Sequence, residues 1–266
     1  MLILALDTSS TAGSAAIARD GVVLAERAGD GTRTHGERLP RELMAILDAA
    51  GVTLRDIDRF AVSTGPGSFT GLRVGIATIQ GLALAQRKLV VPISAFEALA
   101  SIAADGFRLP ASGSQLPAPS SQLRAPGFQL PASSSPLPAA GFRLAPWIDA
   151  HRGEVFAALY AADARTEIRA ASSLPPAETL DSWNEAIEGD TAIHFVGDGA
   201  TKYRGIIEAR LGPRGLVRDD VPLLAGAIAR IAAAEPDRAV RPHAVVPLYV
   251  RRSDAELARD RREARG

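Results

Sequence analysis

Between Gly106 and Trp147 the chain reads as six consecutive blocks of seven residues: GFRLPAS, GSQLPAP, SSQLRAP, GFQLPAS, SSPLPAA and GFRLAPW. Leucine recurs every seventh residue at Leu109, Leu116, Leu123, Leu130, Leu137 and Leu144, but Pro110, Pro117, Pro131 and Pro138 directly follow four of them. Proline inside a helix costs about 3 kcal/mol, so the heptad spacing does not signal a coiled coil. Eight of the 18 prolines fall here, with only Arg108, Arg124 and Arg143 as charges, which predicts a flexible or polyproline-like surface insertion. The folded mass then comes from the flanks: a first lobe over 1–105, a second over 148–250, and an arginine-rich tail over 251–266. A length of 266 residues agrees with roughly two domains of about 150.

The two flanks share an order of elements. Before the insertion, LILAL (2–6), SAAIA (14–18) and VVLAE (22–26) predict three short strands, with Asp20-Gly21 as a tight turn. A helix follows from Glu37 to Ala50, with Leu39, Leu43, Ile46, Leu47 and Ala50 at helical spacing and Gly51 as its stop. Phe60–Ser63 predicts a strand, a glycine-rich turn opens a helix from Ser68 to Ala85, Leu89–Ile93 predicts a fifth strand, and another helix starts at Ala95. After the insertion, strands at 147–149, 154–160 and 166–171, a helix at 177–188, a strand at 192–196 and a helix at 200–211 form a shorter echo. Two βββαβα units, the second degenerate, are the pattern of the actin-like ATPase architecture (ASKHA, RNase H-like), an α/β class. Fold alone does not fix function.

Composition removes several classes of function. Thirty Lys plus Arg balance thirty Asp plus Glu, so no net positive field holds a polyanion, and 5% aromatic residues give no extended base-stacking platform. Zero cysteines exclude disulfides, thiolate zinc sites and a cysteine nucleophile. His35, His151, His194 and His243 show neither an i, i+4 pair nor HExxH, which predicts no metal site, and no GxSxG elbow nominates a nucleophile. The apolar start at 2–6 lacks a basic n-region, and the apolar run at 74–85 is too short for a membrane span, which predicts a cytoplasmic chain. The tail carries six arginines against four acids and predicts a solvated terminal helix, with an RNA phosphate contact as the sharper alternative.

Three strings could carry function. In STGPGSFTGLRVGIATIQGLALA (63–85), Gly71, Gly75 and Thr78 leave one side of a helix almost bare. Glycine costs about 1 kcal/mol relative to alanine inside a helix, so close approach of another element is expected. Two readings stay open: the helix packs on its own sheet, or Gly71, Leu72, Gly75, Ile76 and Ile79 join Leu39, Leu43, Ile46 and Leu47 in a partner face. The same turn fails the Walker spacing, with Leu72 where lysine is needed. Asp7-Thr8-Ser9-Ser10, closing the first strand, is the better phosphate candidate, against a plain self-satisfied turn. Asp149-Ala150-His151-Arg152-Gly153-Glu154 reads as a hairpin with a surface ion pair, or as a site.

Together LALDTS, GPGSFTGLRVG with QGLA, IDAHRGEVFAALY, GDGA and PLYVR closely resemble the TsaB (YeaZ) family, over residues 2–100 and 147–250. The resemblance implies an actin-like subunit that partners the related TsaD, with the small ATPase TsaE, in making threonylcarbamoyladenosine in tRNA. A further enzyme supplies threonylcarbamoyl-adenylate. It also implies subunit contacts through the two helices of the first lobe, a homodimer when alone, tRNA contact only through the complex, and no required cofactor, any ATP or ADP binding being weak or at a complex interface. Catalytic TsaD relatives carry His-x-Glu-x-His on the helix after the fifth strand. Here the corresponding residues are Ala95-Phe96-Glu97-Ala98-Leu99, which implies a non-catalytic scaffold with no catalytic residues. The repeat insertion departs from the family pattern. The competing class is an actin-like small-molecule kinase using Asp7 or Asp149 as general base with bound ATP and magnesium.

Overall fold

The computed structural model describes residues 1–107 and 141–251; the repeat from 108 to 140 and the tail from 252 onward, with the readings made for them, lie outside the described residues. The first sheet contains β1 (Leu2–Asp7), β2 (Ser14–Arg19), β3 (Val22–Ala28), β4 (Arg59–Ser63) and β5 (Val90–Ile93), ordered β3-β2-β1-β4-β5. β1 runs antiparallel to β2 and parallel to β4. Helices α1 (His35–Ala49), α2 (Phe69–Gln86) and α3 (Ala95–Phe107) follow the expected βββαβαβα order.

The second sheet repeats this topology. β6 (Arg143–Asp149), β7 (Val155–Ala161), β8 (Glu167–Leu174), β9 (Ile193–Val196) and β10 (Gly215–Val217) are ordered β10-β9-β6-β7-β8, with β6 antiparallel to β7 and parallel to β9. Degeneracy resides in the helices: α4 (Pro176–Ser182), α5 (Asp198–Lys202) and α6 (Arg204–Leu211) have 7, 5 and 8 residues, against 15 and 18 for α1 and α2. The predicted helix to Glu188 stops at Ser182 and continues as a 3₁₀ turn at Asn184–Ala186, because Trp183 turns inward to meet Trp147, ring centroids 6.0 Å apart. The predicted 200–211 helix is interrupted at Tyr203.

Both faces of each sheet are covered. In β1, Leu2, Leu4 and Leu6 face α1 and α2, while Ile3 and Ala5 face the centre of the molecule, so the apolar run at its start is buried throughout. Across the second sheet, Trp147, Val155, Ala157 and Leu159 pack with Leu180, Ile207 and Leu211 of α4 and α6. Between the sheets lie α3 and a helix absent from the sequence reading, α7 (Ala225–Ala234). α3 leaves the first sheet and packs on β6 and β9 of the second, whereas α7 leaves the second sheet and packs on β1, β2 and β4 of the first. The halves thus exchange their last helices.

The predicted domain boundaries change accordingly. The sixth heptapeptide block is not insertion: β6 begins at Arg143, and Leu144 is buried in the central core, since its period-two partners Pro146 and Ile148 continue the same strand. The stretch after β10 is not second lobe either. It returns to the first, where Val240 forms a bridge with Val90, and Gln80 Nε2 donates to the carbonyls of Pro242 (2.9 Å) and Val245 (3.0 Å).

The start of α7 is anchored by the β2–β3 hairpin. The N–H groups of Leu224 and Ala225 donate to Ser14 Oγ at 3.3 and 3.0 Å, and the Gly226 N–H donates to Glu26 Oε1 at 2.7 Å. Ser14 is buried, so Ser14→Ala strands two backbone donors and should lower the unfolding free energy by about 1–3 kcal/mol in urea denaturation; an unchanged midpoint would show that the donors find other acceptors. His194 on β9 is buried against Phe142, centroids 5.2 Å apart, and burial pushes its pKa down from 6.5 to about 4. The fold therefore favours neutral imidazole, and that stability is complete above the unfolded pKa and lost as pH falls through the folded one. Wild-type stability should drop by up to roughly 3 kcal/mol between pH 6.5 and 4, and His194→Phe should flatten that slope.

Candidate functional site

The two pseudo-equivalent strands β1 and β6 each end in an aspartate that shapes the following turn. Asp7 Oδ1 accepts from the Ser9 N–H at 3.0 Å, and Asp149 Oδ1 accepts from the His151 N–H at 3.0 Å. Duplication has therefore placed the same Asx turn on both sides of the interlobe space. Burial pushes the Asp7 carboxyl above its ordinary value of 3.8, against the lowering effect of its bonds to Ser9. Asp149 is an ion-pair member: Oδ2 lies 2.7 Å from Lys202 Nζ, and the Asp149 N–H donates to Asp198 Oδ1 at 3.0 Å. The 149–154 cluster does form the predicted hairpin, with His151 and Arg152 at φ +59° and +55°.

The turn after Asp7 is gripped from two directions. From α1, Arg38 donates to the carbonyls of Thr11 (3.1 Å) and Ala12, and Arg38 Nη1 pairs with Glu42 at 2.5 Å. Arg38 Nη2 lies 2.6 Å from His35 Nδ1; a guanidinium can only donate, so Nδ1 accepts, and the ring proton on Nε2 donates to the Ser10 carbonyl at 3.1 Å. Burial and the Arg38 charge both push the His35 pKa down, which keeps that tautomer neutral. From α2, the Ser68 N–H donates to the Ser9 carbonyl at 2.7 Å, and Ser68 Oγ caps the Gly71 N–H at 3.2 Å.

The glycine stripe of α2 belongs to this grip. A Cβ on Gly67 would overlap Ser9, one on Gly71 the Thr8 carbonyl, and one on Gly75 the Thr8 hydroxyl. The strings DTSS and GPGSFTGLRVG are thus two halves of one packed unit. The expected partner face is corrected: Leu39, Leu43, Ile46, Leu47, Leu72, Ile76 and Ile79 are all 5% exposed or less, and Gly71 and Gly75 face their own lobe. The apolar stripe of a helix on a sheet is spent on that sheet. The residues that the two helices present outward include Pro40, Arg41, Met44 and Asp48 of α1, and Thr70, Arg73, Ala77, Gly81 and Leu84 of α2. Met44 and Leu84 are 58% and 72% exposed, and a Cβ on Gly81 would meet open space.

Between the lobes lies a cleft of about 600 Å³, bounded by Ser9, Ser10 and Thr11, the start of α2, Ile148 to His151, and residues 248–251. A smaller pocket of about 240 Å³ lies beside Asp7, Gly13, Leu99, Asp198 and Leu223. Of the four candidate nucleotide residues, Ser9 and Ser10 line both spaces and Asp7 only the smaller. Thr8 lines neither: its side chain is directed at the bare edge of α2, a correction to its proposed role. Sequence reasoning missed Arg73, whose guanidinium sits 3.8 Å from the Phe69 ring centroid and donates from Nε to Tyr249 Oη at 2.9 Å. The separation of 176 residues between Arg73 and Tyr249 left no local signal. Ala95 and Leu99, at the positions compared with metal-binding histidines, are buried at the start of α3. Among the described residues no group of three or more His, Cys, Asp or Glu could hold a metal, and no helix is long and apolar enough to cross a membrane.

Known proteins are similar to this chain in sequence and in fold. The family model for TsaD, tRNA N6-adenosine threonylcarbamoyltransferase, matches residues 21–113. The tRNA threonylcarbamoyladenosine biosynthesis protein TsaB of Bacillus subtilis is 25% identical over 96% of both chains, and TsaB of Escherichia coli is 40% identical over 38% of this chain and 43% of that one. YeaZ from Pseudomonas aeruginosa superposes with a TM-score of 0.65 and 25% identity, covering 93% of this chain and 99% of that chain. Over nearly its whole length the chain is similar to TsaB (YeaZ) proteins in both sequence and fold. In this TsaB-type lobe the GPGSFTGLRVG string has an intramolecular role that a substitution pair can isolate. Gly75→Ala should destabilise the fold by roughly 1–3 kcal/mol, and Thr8→Ala in the same chain should recover most of the loss, since it removes Oγ1 and Cγ2, the two atoms that the new methyl meets most closely. Thermal melts of both variants decide this, and additive losses would argue against the contact.

Proposed function

We propose that this protein is the non-catalytic scaffold subunit of a tRNA threonylcarbamoyladenosine synthesis complex, supporting a TsaD-like subunit as it transfers threonylcarbamoyl to adenosine 37 of ANN-decoding tRNAs. The observation that carries this reading is the match to TsaB proteins across nearly the whole chain, joined to a TsaD-model match over the first lobe. Further support comes from the start of α3, where buried Ala95 and Leu99 stand at the positions compared with the histidines of the catalytic relatives. The scaffold works in the cytoplasm, meets tRNA only through the complex, and cooperates with a TsaE-like ATPase.

Pairing with the TsaD-like subunit uses the outward face of α1 and α2, around Met44, Ala77, Gly81 and Leu84, where small residues let a second helix pair approach. Self-pairing in the isolated protein competes for the same face. Gly75 is no part of that face, because a side chain there would run into Thr8.

The deciding assay is threonylcarbamoyl transfer to tRNA in a mixture of TsaD, TsaE and threonylcarbamoyl-adenylate, with and without this protein. Transfer is expected only with it, and a competent mixture indifferent to it would overturn the proposal. Leu84→Arg with Met44→Asp should leave the melting temperature unchanged, abolish co-elution with the TsaD-like subunit and remove transfer. Retained co-elution would move the interface elsewhere.

A further inference from the structure

Residues 239–251 run as a strap along the first lobe and end on the second. Val240 exchanges both ladder bonds with Val90, at 2.8 and 3.0 Å, and Gln80 holds the strap at Pro242 and Val245. The Leu248 N–H donates to the Thr64 carbonyl at 2.7 Å, and Tyr249 takes the Arg73 bond. Two residues later the strap changes lobes. Arg251 Nη1 lies 3.1 Å from Glu154 Oε2, with its guanidinium 5.8 Å from the Phe156 ring centroid. Glu154 leads into β7 on the far wall of the cleft, and the same oxygen accepts from Ser173 Oγ at 2.7 Å, which holds it ready for the arginine.

The position of this pair gives it leverage. The lobes are joined at the back by α3 and α7, whose side chains form one apolar core with both sheets. A second interlobe pair, Arg165 with Glu235 at 3.2 Å, lies just past the C-terminal end of α7, and neither residue lines the 600 Å³ cleft. Other ion pairs of cleft-lining side chains among the described residues stay within one lobe, as in Asp149 with Lys202 and His151. The Arg251–Glu154 contact therefore ties the strap, which lines the cleft through residues 248–251, to the second lobe beside Phe156 on the opposite wall. Both side chains keep about 30% exposure, at 29% and 31%, so solvent and salt reach the pair.

We infer that Arg251 and Glu154 form a salt-sensitive latch that holds the interlobe cleft closed, with the 239–251 strap as its arm and the α3/α7 layer as its hinge. Its release widens the space between the Ser9 turn and the His151 hairpin without unfolding either lobe, and so sets access to the 600 Å³ cleft. This inference concerns the isolated chain and stands whether or not the scaffold reading holds.

The absence of cysteine makes the test clean, because two introduced thiols are the only ones. Spin labels at Asp48→Cys on α1 and Glu178→Cys on α4 report the lobe separation by pulsed dipolar spectroscopy. The wild-type background at low salt should give one distance population. Glu154→Gln and Arg251→Met should each add a longer one, with an unchanged circular dichroism melt. Raising salt should produce the same longer population in the wild-type background and change little in the two variants. Superimposable distributions across the series would overturn the latch. Should either variant fail to fold, the salt titration of the unsubstituted pair decides alone, since a distance that salt leaves unmoved also overturns it.

Discussion

Everything else in this molecule hangs on a shared layer of alanine. Two sheets can close on one pair of helices only if those helices are thin on both sides, and α3 and α7 meet that demand with Ala95, Ala98, Ala100 and Ala103 on one and Ala225, Ala227, Ala229 and Ala232 on the other. Most of the large side chains come from the sheets, as with Ile3, Ile93, Phe156 and Tyr160, and the helices add only Phe96, Leu99 and Ile228 to the buried cluster. Because the layer is common to both halves, the ends of β1 and β6 are held opposite each other, and the space between their turns becomes a cleft with fixed walls.

The first lobe was legible because its signals were local and strong. Period-two runs separated by Asp20-Gly21, a helical stripe ended by Gly51, and a glycine turn before a long helix each point one way. The second lobe was legible as an echo, but two of its elements escaped. β10 has three residues, too few for a periodic signal. α7 is buried almost all round, so its sequence AGAIARIAAA lacks the polar face by which an amphipathic helix is recognised. The last repeat block looked like insertion because it kept the seven-residue rhythm, yet GFRLAPW supplies the opening of β6.

The candidate site was half legible for a related reason. Sequence showed that the edge of α2 carrying Gly71 and Gly75 is bare, and that something approaches it, but not what. The answer is the carbonyl and hydroxyl of Thr8, from the other conspicuous string in the chain. A bare helix edge records the distance of closest approach and is silent about whether the neighbour is the same chain. The outward face, by contrast, carries Met44 and Leu84 in surroundings where exposure is the anomaly, and only coordinates reveal which leucines are outside.

The exchange of last helices also governs the order in which this protein can be made. As the chain leaves the ribosome, the first sheet is complete by Ile93, but the helix that covers its inner face ends only at Ala234. For the intervening synthesis Ile3, Ala5, Ala16, Ala61 and Val91 lack their final cover, so the N-terminal half cannot finish folding as an independent unit. Long-range closure of this kind raises contact order and slows the last step. The same topology that locks the two halves together thus makes the emerging half dependent on a segment not yet translated.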